Sequence, residues 1–157
     1  MWYGVASSSD GTKLAAMVNG GDIWTSADGG AHWTDQTDAG SRKWQHIASS
    51  SDGSKLVALD ATPGYIYTST DSGAHWTAQT SPGAHSWYAA AISADGSQLA
   101  AGVYGGAFYK STDGGDHWTA QTGTGSQGYW IAATLSDDGG KLAIVQQVAD
   151  IFTATCP

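Results

Sequence analysis

Four tryptophans, Trp2, Trp44, Trp87 and Trp130, recur at spacings of 42, 43 and 43 residues. That period constrains the fold more than any other feature of the chain. Eight residues after each comes an Asp-Gly pair headed by Asp10, Asp52, Asp95 or Asp138. Four residues further on lies Leu14, Leu56, Leu99 or Leu142. The apolar-aromatic pairs Ile23-Trp24, Ile66-Tyr67, Phe108-Tyr109 and Ile151-Phe152 keep the same step. Trp33, Trp76 and Trp118 each open a Trp-Thr-x-Gln-Thr run. These markers divide the chain into units 1–43, 44–86, 87–129 and 130–157, the last incomplete because the Trp-Thr run has no fourth copy.

Each unit reads as four short strands, A to D. In the second, A runs from Trp44 to Ser49, B from Lys55 to Leu59, C from Tyr65 to Ser69 and D from His75 to Thr80. The runs are rich in β-branched and aromatic residues and are bounded by Asp-Gly, Gly-Gly or Ser-Gly turns. Glycine after aspartate supplies the positive φ that tight hairpins need. No segment carries helical caps with a 3.6-residue period. The expectation is an all-β chain, a β-propeller of four-stranded antiparallel blades. One domain, 1–157, holds four blades, the last without its outer strand D. A lone blade cannot bury both faces, so neighbours stack around an axis.

Composition narrows the partners. Lys and Arg total 6 against 14 acidic residues, all of them Asp, for a net charge of −8. Nucleic acid and anionic membrane need a basic face, so neither is expected. No apolar run reaches the length of a membrane span, and the N-terminus lacks the charged and apolar regions of a signal peptide. The low charge and the Thr, Gln and Ser content fit an extracellular module. Cys156 is the single cysteine. It permits no internal disulfide, and a free thiol or a bridge between chains are its open readings.

The C-to-D turns read Ser26-Ala27-Asp28-Gly29-Gly30-Ala31-His32-Trp33, Ser69-Thr70-Asp71-Ser72-Gly73-Ala74-His75-Trp76 and Ser111-Thr112-Asp113-Gly114-Gly115-Asp116-His117-Trp118. This pattern resembles the Asp-box of bacterial neuraminidase repeat proteins, with His in place of the usual Thr. The resemblance implies a propeller whose Asp-boxes are peripheral folding devices. Asp28, Asp71 and Asp113 would cap turn amides, and Trp33, Trp76 and Trp118 would pack beneath the hairpins. An aspartate in a turn accepts backbone N–H bonds, which agrees.

Sialidases of that family are implied to use three arginines and a tyrosine backed by glutamate. This chain has one arginine, Arg42, and no glutamate. Another glycosidase would need two carboxylates about 5–10 Å apart, whereas most Asp residues here repeat in turns. Asp22 and Asp150 hold equivalent loop places on different blades. Hydrolysis is a distant alternative, and no enzyme is expected. His32, His75 and His117 repeat on three blades and cannot converge; His46 and His85 alone make no zinc site. No cofactor or metal is expected.

Departures from the repeat mark where a ligand would bind. The D-to-A and B-to-C loops share one face of a propeller and vary most between units. Each D-to-A loop delivers Trp44, Trp87 or Trp130. One reading packs these indoles between blades; the other exposes them as a ring that stacks on sugars. In the second, Arg42, Asn19, His85 and Tyr129 supply hydrogen bonds to a glycan or another small polar ligand. A structural or assembly scaffold, or an amplified or engineered repeat without a ligand, is the alternative. The bare edge of the last strand C, Asp150 to Thr155, favours a homodimer that completes an eight-bladed ring. A four-bladed closure and a fragment of a longer array stand beside it.

Overall fold

The computed structural model of the chain describes residues 1–121, 128–147 and 151–155. Asp150, Cys156 and most of the third D-to-A loop lie outside the described residues. Blade 1 consists of β1 (Trp2–Ser7), β2 (Leu14–Gly21), β3 (Ile23–Ser26) and β4 (Thr34–Gln36). Blade 2 consists of β5 (Arg42–Ser49), β6 (Leu56–Asp60), β7 (Ile66–Ser69) and β8 (Thr77–Gln79). Blade 3 consists of β9 (Trp87–Ile92), β10 (Leu99–Gly106), β11 (Phe108–Ser111) and β12 (Thr119–Gln121). Blade 4 holds β13 (Gly128–Leu135), β14 (Lys141–Gln146) and β15 (Ile151–Thr155). Within each blade every strand pairs antiparallel with the next. The chain is an all-β run of propeller blades, as the period predicts.

Backbone bonds clip each blade to the next at both ends. On the loop face, Gly21 bridges Arg42, Gly64 bridges His85 and Gly106 bridges Gly128. On the opposite face, Ser9 N–H donates to the Ser51 carbonyl (2.8 Å), Ser51 N–H to Ala94 (2.8 Å) and Ala94 N–H to Asp137 (3.0 Å). These three bonds join the four A-to-B turns into a hoop. From blade 2 onward the turn glycine there lies against the preceding blade. A Cβ on Gly53, Gly96 or Gly139 would come within 2.7 Å of the Lys13, Lys55 or Gln98 side chain. Their φ angles, 67°, 68° and 69°, favour glycine as well.

Apolar layers between the blades form the core. Ala15, Met17 and Ile23 of blade 1 meet Trp44, Ile47, Ala58 and Tyr67 of blade 2. Leu59 and Ile66 of blade 2 meet Trp87, Ala90, Ala101 and Trp118 of blade 3. Ala100 and Phe108 of blade 3 meet Trp130, Leu142 and Ile144 of blade 4. Trp44, Trp87 and Trp130 are fully buried. Trp87 and Trp130 donate their indole N–H to the carbonyls of Gly64 (3.1 Å) and Gly106 (2.9 Å).

Every C-to-D turn uses the same bonds. Ser26 Oγ donates to Asp28 Oδ1 (2.8 Å) and accepts the Gly30 N–H (2.9 Å). Asp28 Oδ1 accepts the His32 N–H (2.9 Å), and its Oδ2 lies 2.6 Å from His32 Nδ1. The set recurs at Asp71 and Asp113. Trp76 and Trp118 are buried beneath, each giving its indole N–H at 2.8 Å to the carbonyl of Gly73 or Gly115. The A-to-B turns repeat a second device, Ser8-Asp10, Ser50-Asp52, Ser93-Asp95 and Ser136-Asp138.

Two measurements test this account. Trp87→Ala removes a fully buried indole and should destabilise the chain by about 3–5 kcal/mol in denaturant unfolding; a loss under about 1 kcal/mol would contradict its place in the core. The second is the pH dependence of melting. The His75 and His117 backbone N–H groups, first among several bonds, hold Asp71 and Asp113 down to about 2. The Ser8 and Ser93 hydroxyls do the same to Asp10 and Asp95, also to about 2. Asp28, Asp52 and Asp138 are lowered too. A carboxyl lowered by folding stabilises above its ordinary value of 3.8 and ceases to as pH falls through the folded value. Melting temperature should therefore fall steeply between about pH 4 and pH 2. His75 is raised, chiefly by its hydrogen bond to Asp71. Its contribution is complete below its ordinary 6.5 and is lost as pH rises beyond the raised value.

Candidate binding site

A β-bulge decides which side chains reach the axis. In blade 2, Trp44 pairs with Asp60 and His46 with Leu59, leaving Gln45 as the extra residue. Tyr3, Tyr88 and Ile131 hold the same extra place in β1, β9 and β13. Bulges re-aim side chains. In blades 2 to 4 they send Trp44, Trp87 and Trp130 into the layers between blades and turn each successor away from that layer.

Three of those successors meet. Gln45 Nε2 donates to the Tyr3 hydroxyl at 3.2 Å. The Tyr88 phenol lies beside Tyr3 and Gln45, and burial, first among the causes, pushes its pKa up. The cluster continues onto the loop face. The Tyr88 and Tyr104 rings lie 5.2 Å apart, and Tyr104 meets Tyr129 edge-on at 4.8 Å. Tyr104 donates its hydroxyl to Gln147 Oε1 at 3.1 Å. Four tyrosines and two glutamines from all four blades thus form one neutral surface, with Tyr3, Tyr104 and Tyr129 exposed. It offers ring faces for apolar C–H surfaces and phenol or amide groups for hydroxyls.

Of the seven candidate ligand residues, Tyr129 alone lies in this cluster. Trp44, Trp87 and Trp130 present no face to a ligand, because the bulge commits them to the core; the exposed-ring reading of these three does not describe the structure. Arg42 and His85 occupy equivalent places two residues before a core tryptophan, and both brace the fold. Arg42 Nε donates to the Ala39 carbonyl (2.8 Å), and its guanidinium sits 4.5 Å above the Tyr67 ring. His85 Nε2 lies 2.9 Å from the Pro82 carbonyl, with its ring against Trp87 and Tyr109. Asn19 reaches the Trp44 carbonyl at 3.4 Å. His46 is mostly buried, which pushes its pKa down. Among the described residues no three His, Cys, Asp or Glu side chains gather to hold a metal ion.

Sequence reasoning missed Tyr3, Gln45, Tyr88, Tyr104 and Gln147. A signal was present: the residue after each period-setting tryptophan reads Tyr, Gln, Tyr and Ile, a departure from the repeat inside strand A.

No protein-family model matches the sequence, and no curated protein matches it. Solved structures do. The chain is similar to the GH74 xyloglucanase from Xanthomonas campestris, with a TM-score of 0.70 and 17% identity over 96% of this chain and 28% of that one. It is similar to a chain of a nidogen/laminin complex, with a TM-score of 0.76 and 17% identity over 98% of this chain and 59% of that one. It is also similar to the computationally designed Ika4 protein, with a TM-score of 0.75 and 11% identity over 100% of this chain and 92% of that one. The chain spans about a quarter of the length of the GH74 enzymes it matches. At these identities the likeness shows the fold, a β-propeller.

Proposed function

We propose that the chain is a non-catalytic propeller module that binds a carbohydrate, or another small neutral polar ligand, on the face of the D-to-A and B-to-C loops. The observation that carries this is the tyrosine–glutamine cluster of Tyr3, Gln45, Tyr88, Tyr104, Tyr129 and Gln147 at that end of the axis. Uncharged rings and amides suit sugar hydroxyls and sugar faces. The net charge of −8 disfavours anionic ligands. Two series of aspartates are committed to turns, which supports a binding rather than a hydrolytic role. The three Ser-x-Asp turns support placing the chain among Asp-box propellers, with Asp28, Asp71 and Asp113 as structural caps. A scaffold role is the second reading, favoured by the exposed apolar residues Trp2, Val5 and Ile151 on the outer blades.

Calorimetric titration with a panel of neutral oligosaccharides, xyloglucan and cello-oligosaccharides among them, tests the reading. Binding should weaken roughly fivefold in Tyr104→Ala and in Tyr129→Ala, consistent with about 1 kcal/mol for each lost aromatic contact. Thr119→Ala, on the outer strand of blade 3, should bind as the parent does. No heat with any member of the panel, or equal binding in both tyrosine variants, would overturn the carbohydrate reading.

A further inference from the structure

Three internal interfaces show what each blade face is built to meet, and the two outermost faces lack that partner. On the receiving face, the buried Trp44, Trp87 and Trp130 correspond to Trp2, which is 61% exposed. The buried Ile47 and Ala90 correspond to Val5, 69% exposed. On the inserting face, Ile23, Ile66 and Phe108 are buried, whereas their blade 4 counterpart Ile151 is 71% exposed. The inserting face of blade 4 and the receiving face of blade 1 are the halves of a fourth interface of the same kind.

We propose that a second copy of this chain completes that interface, so that two chains join head to tail into one closed eight-bladed ring. A groove of about 380 Å³ on blade 1, lined by Trp2, Ala16, Trp24 and Trp33, is where Ile151 inserts. At the corresponding place in blade 2, formed by Trp44, Ala58, Tyr67 and Trp76, the layer is filled by Met17 and Ile23 of blade 1. The turn glycines agree. Gly53, Gly96 and Gly139 are crowded by Lys13, Lys55 and Gln98, while Gly11, their copy in blade 1, has nothing within 4 Å. Lys141 holds the matching place on blade 4 and covers it.

The hydrogen-bonded hoop points the same way. Among the described residues it ends at the Ser9 carbonyl and the Asp137 N–H, an acceptor and a donor. Joined across two chains, Asp137 N–H donates to Ser9 just as Ser51 donates to Ala94. Each chain carries one inserting and one receiving face, so a two-fold axis makes two identical junctions and leaves neither face open. The repeat supplies the complementarity: each face already fits a neighbour of its own kind.

Light scattering on a sizing column tests the proposal independently of any ligand. The expected mass is twice 16.1 kDa. Val5→Lys and Ile151→Lys each put a charge on one half of the junction and should each return the mass to 16.1 kDa. Both positions are exposed within the chain, so circular dichroism should show the parent fold in both variants. A parent mass of 16.1 kDa, or one above twice that value, would overturn the two-chain ring. A doubled mass that survives both substitutions would also overturn it and would place the contact at the outer edge of β15.

Discussion

The layer that buries one tryptophan between successive blades holds this structure together. A β-blade is thin, with two faces and one row of side chains on each, so it cannot exclude water from either face alone. Trp44, Trp87 and Trp130 bring the largest apolar surface available to a single residue to the same point in each interface. Their neighbours then adjust in volume around a fixed indole. Ile47 opposite Met17 and Ile23 becomes Ala90 opposite Leu59 and Ile66. The backbone clips at the two ends add direction to a layer whose attraction has none. Together they set the register at which blades stack.

The sequence period revealed this architecture almost completely, because every marker in it belongs to the folding machinery. The Asp-Gly turns, the leucines of strand B and the Ser-x-Asp turns fall where the repeat places them. What the sequence concealed is the direction of the tryptophans. Strand A contains a bulge between Trp44 and His46, so Trp44 shares a face with Ile47 rather than with His46. A strict alternation read along Trp44-Gln45-His46-Ile47 assigns these side chains to the wrong sides. With the bulge unseen, an indole in the core and an indole facing a ligand look alike in the sequence.

The same blindness explains Arg42 and His85. They were conspicuous as variable, polar residues in variable loops, which is where binding groups are usually sought. The structure shows them performing one task with different chemistry. Each reaches back to a carbonyl three residues earlier, and each lies against the aromatic ring of strand C in its own blade, Tyr67 or Tyr109. Gly128 takes that place in blade 4, where a Cβ would collide with Trp130 and Gln146. Variation between repeats marks function only where the varying side chains are free of the fold.

Freedom from the fold is what distinguishes the tyrosine–glutamine cluster. A bulge residue belongs to neither interface layer, so its side chain can change without disturbing the packing of blades. Tyr3, Gln45, Tyr88 and Ile131 occupy that position with three residue types among the four units, while the tryptophan beside each is invariant. The repeat therefore separates two roles along adjacent residues: the first of each pair builds the ring and the second furnishes its axis. A closed ring would carry this further, since the axis would then be lined by both chains and any ligand there would meet two copies of the cluster. The stability of the assembly and the character of its binding surface would still be set by different residues, which is how a repeat of so little variety can hold a surface that is its own.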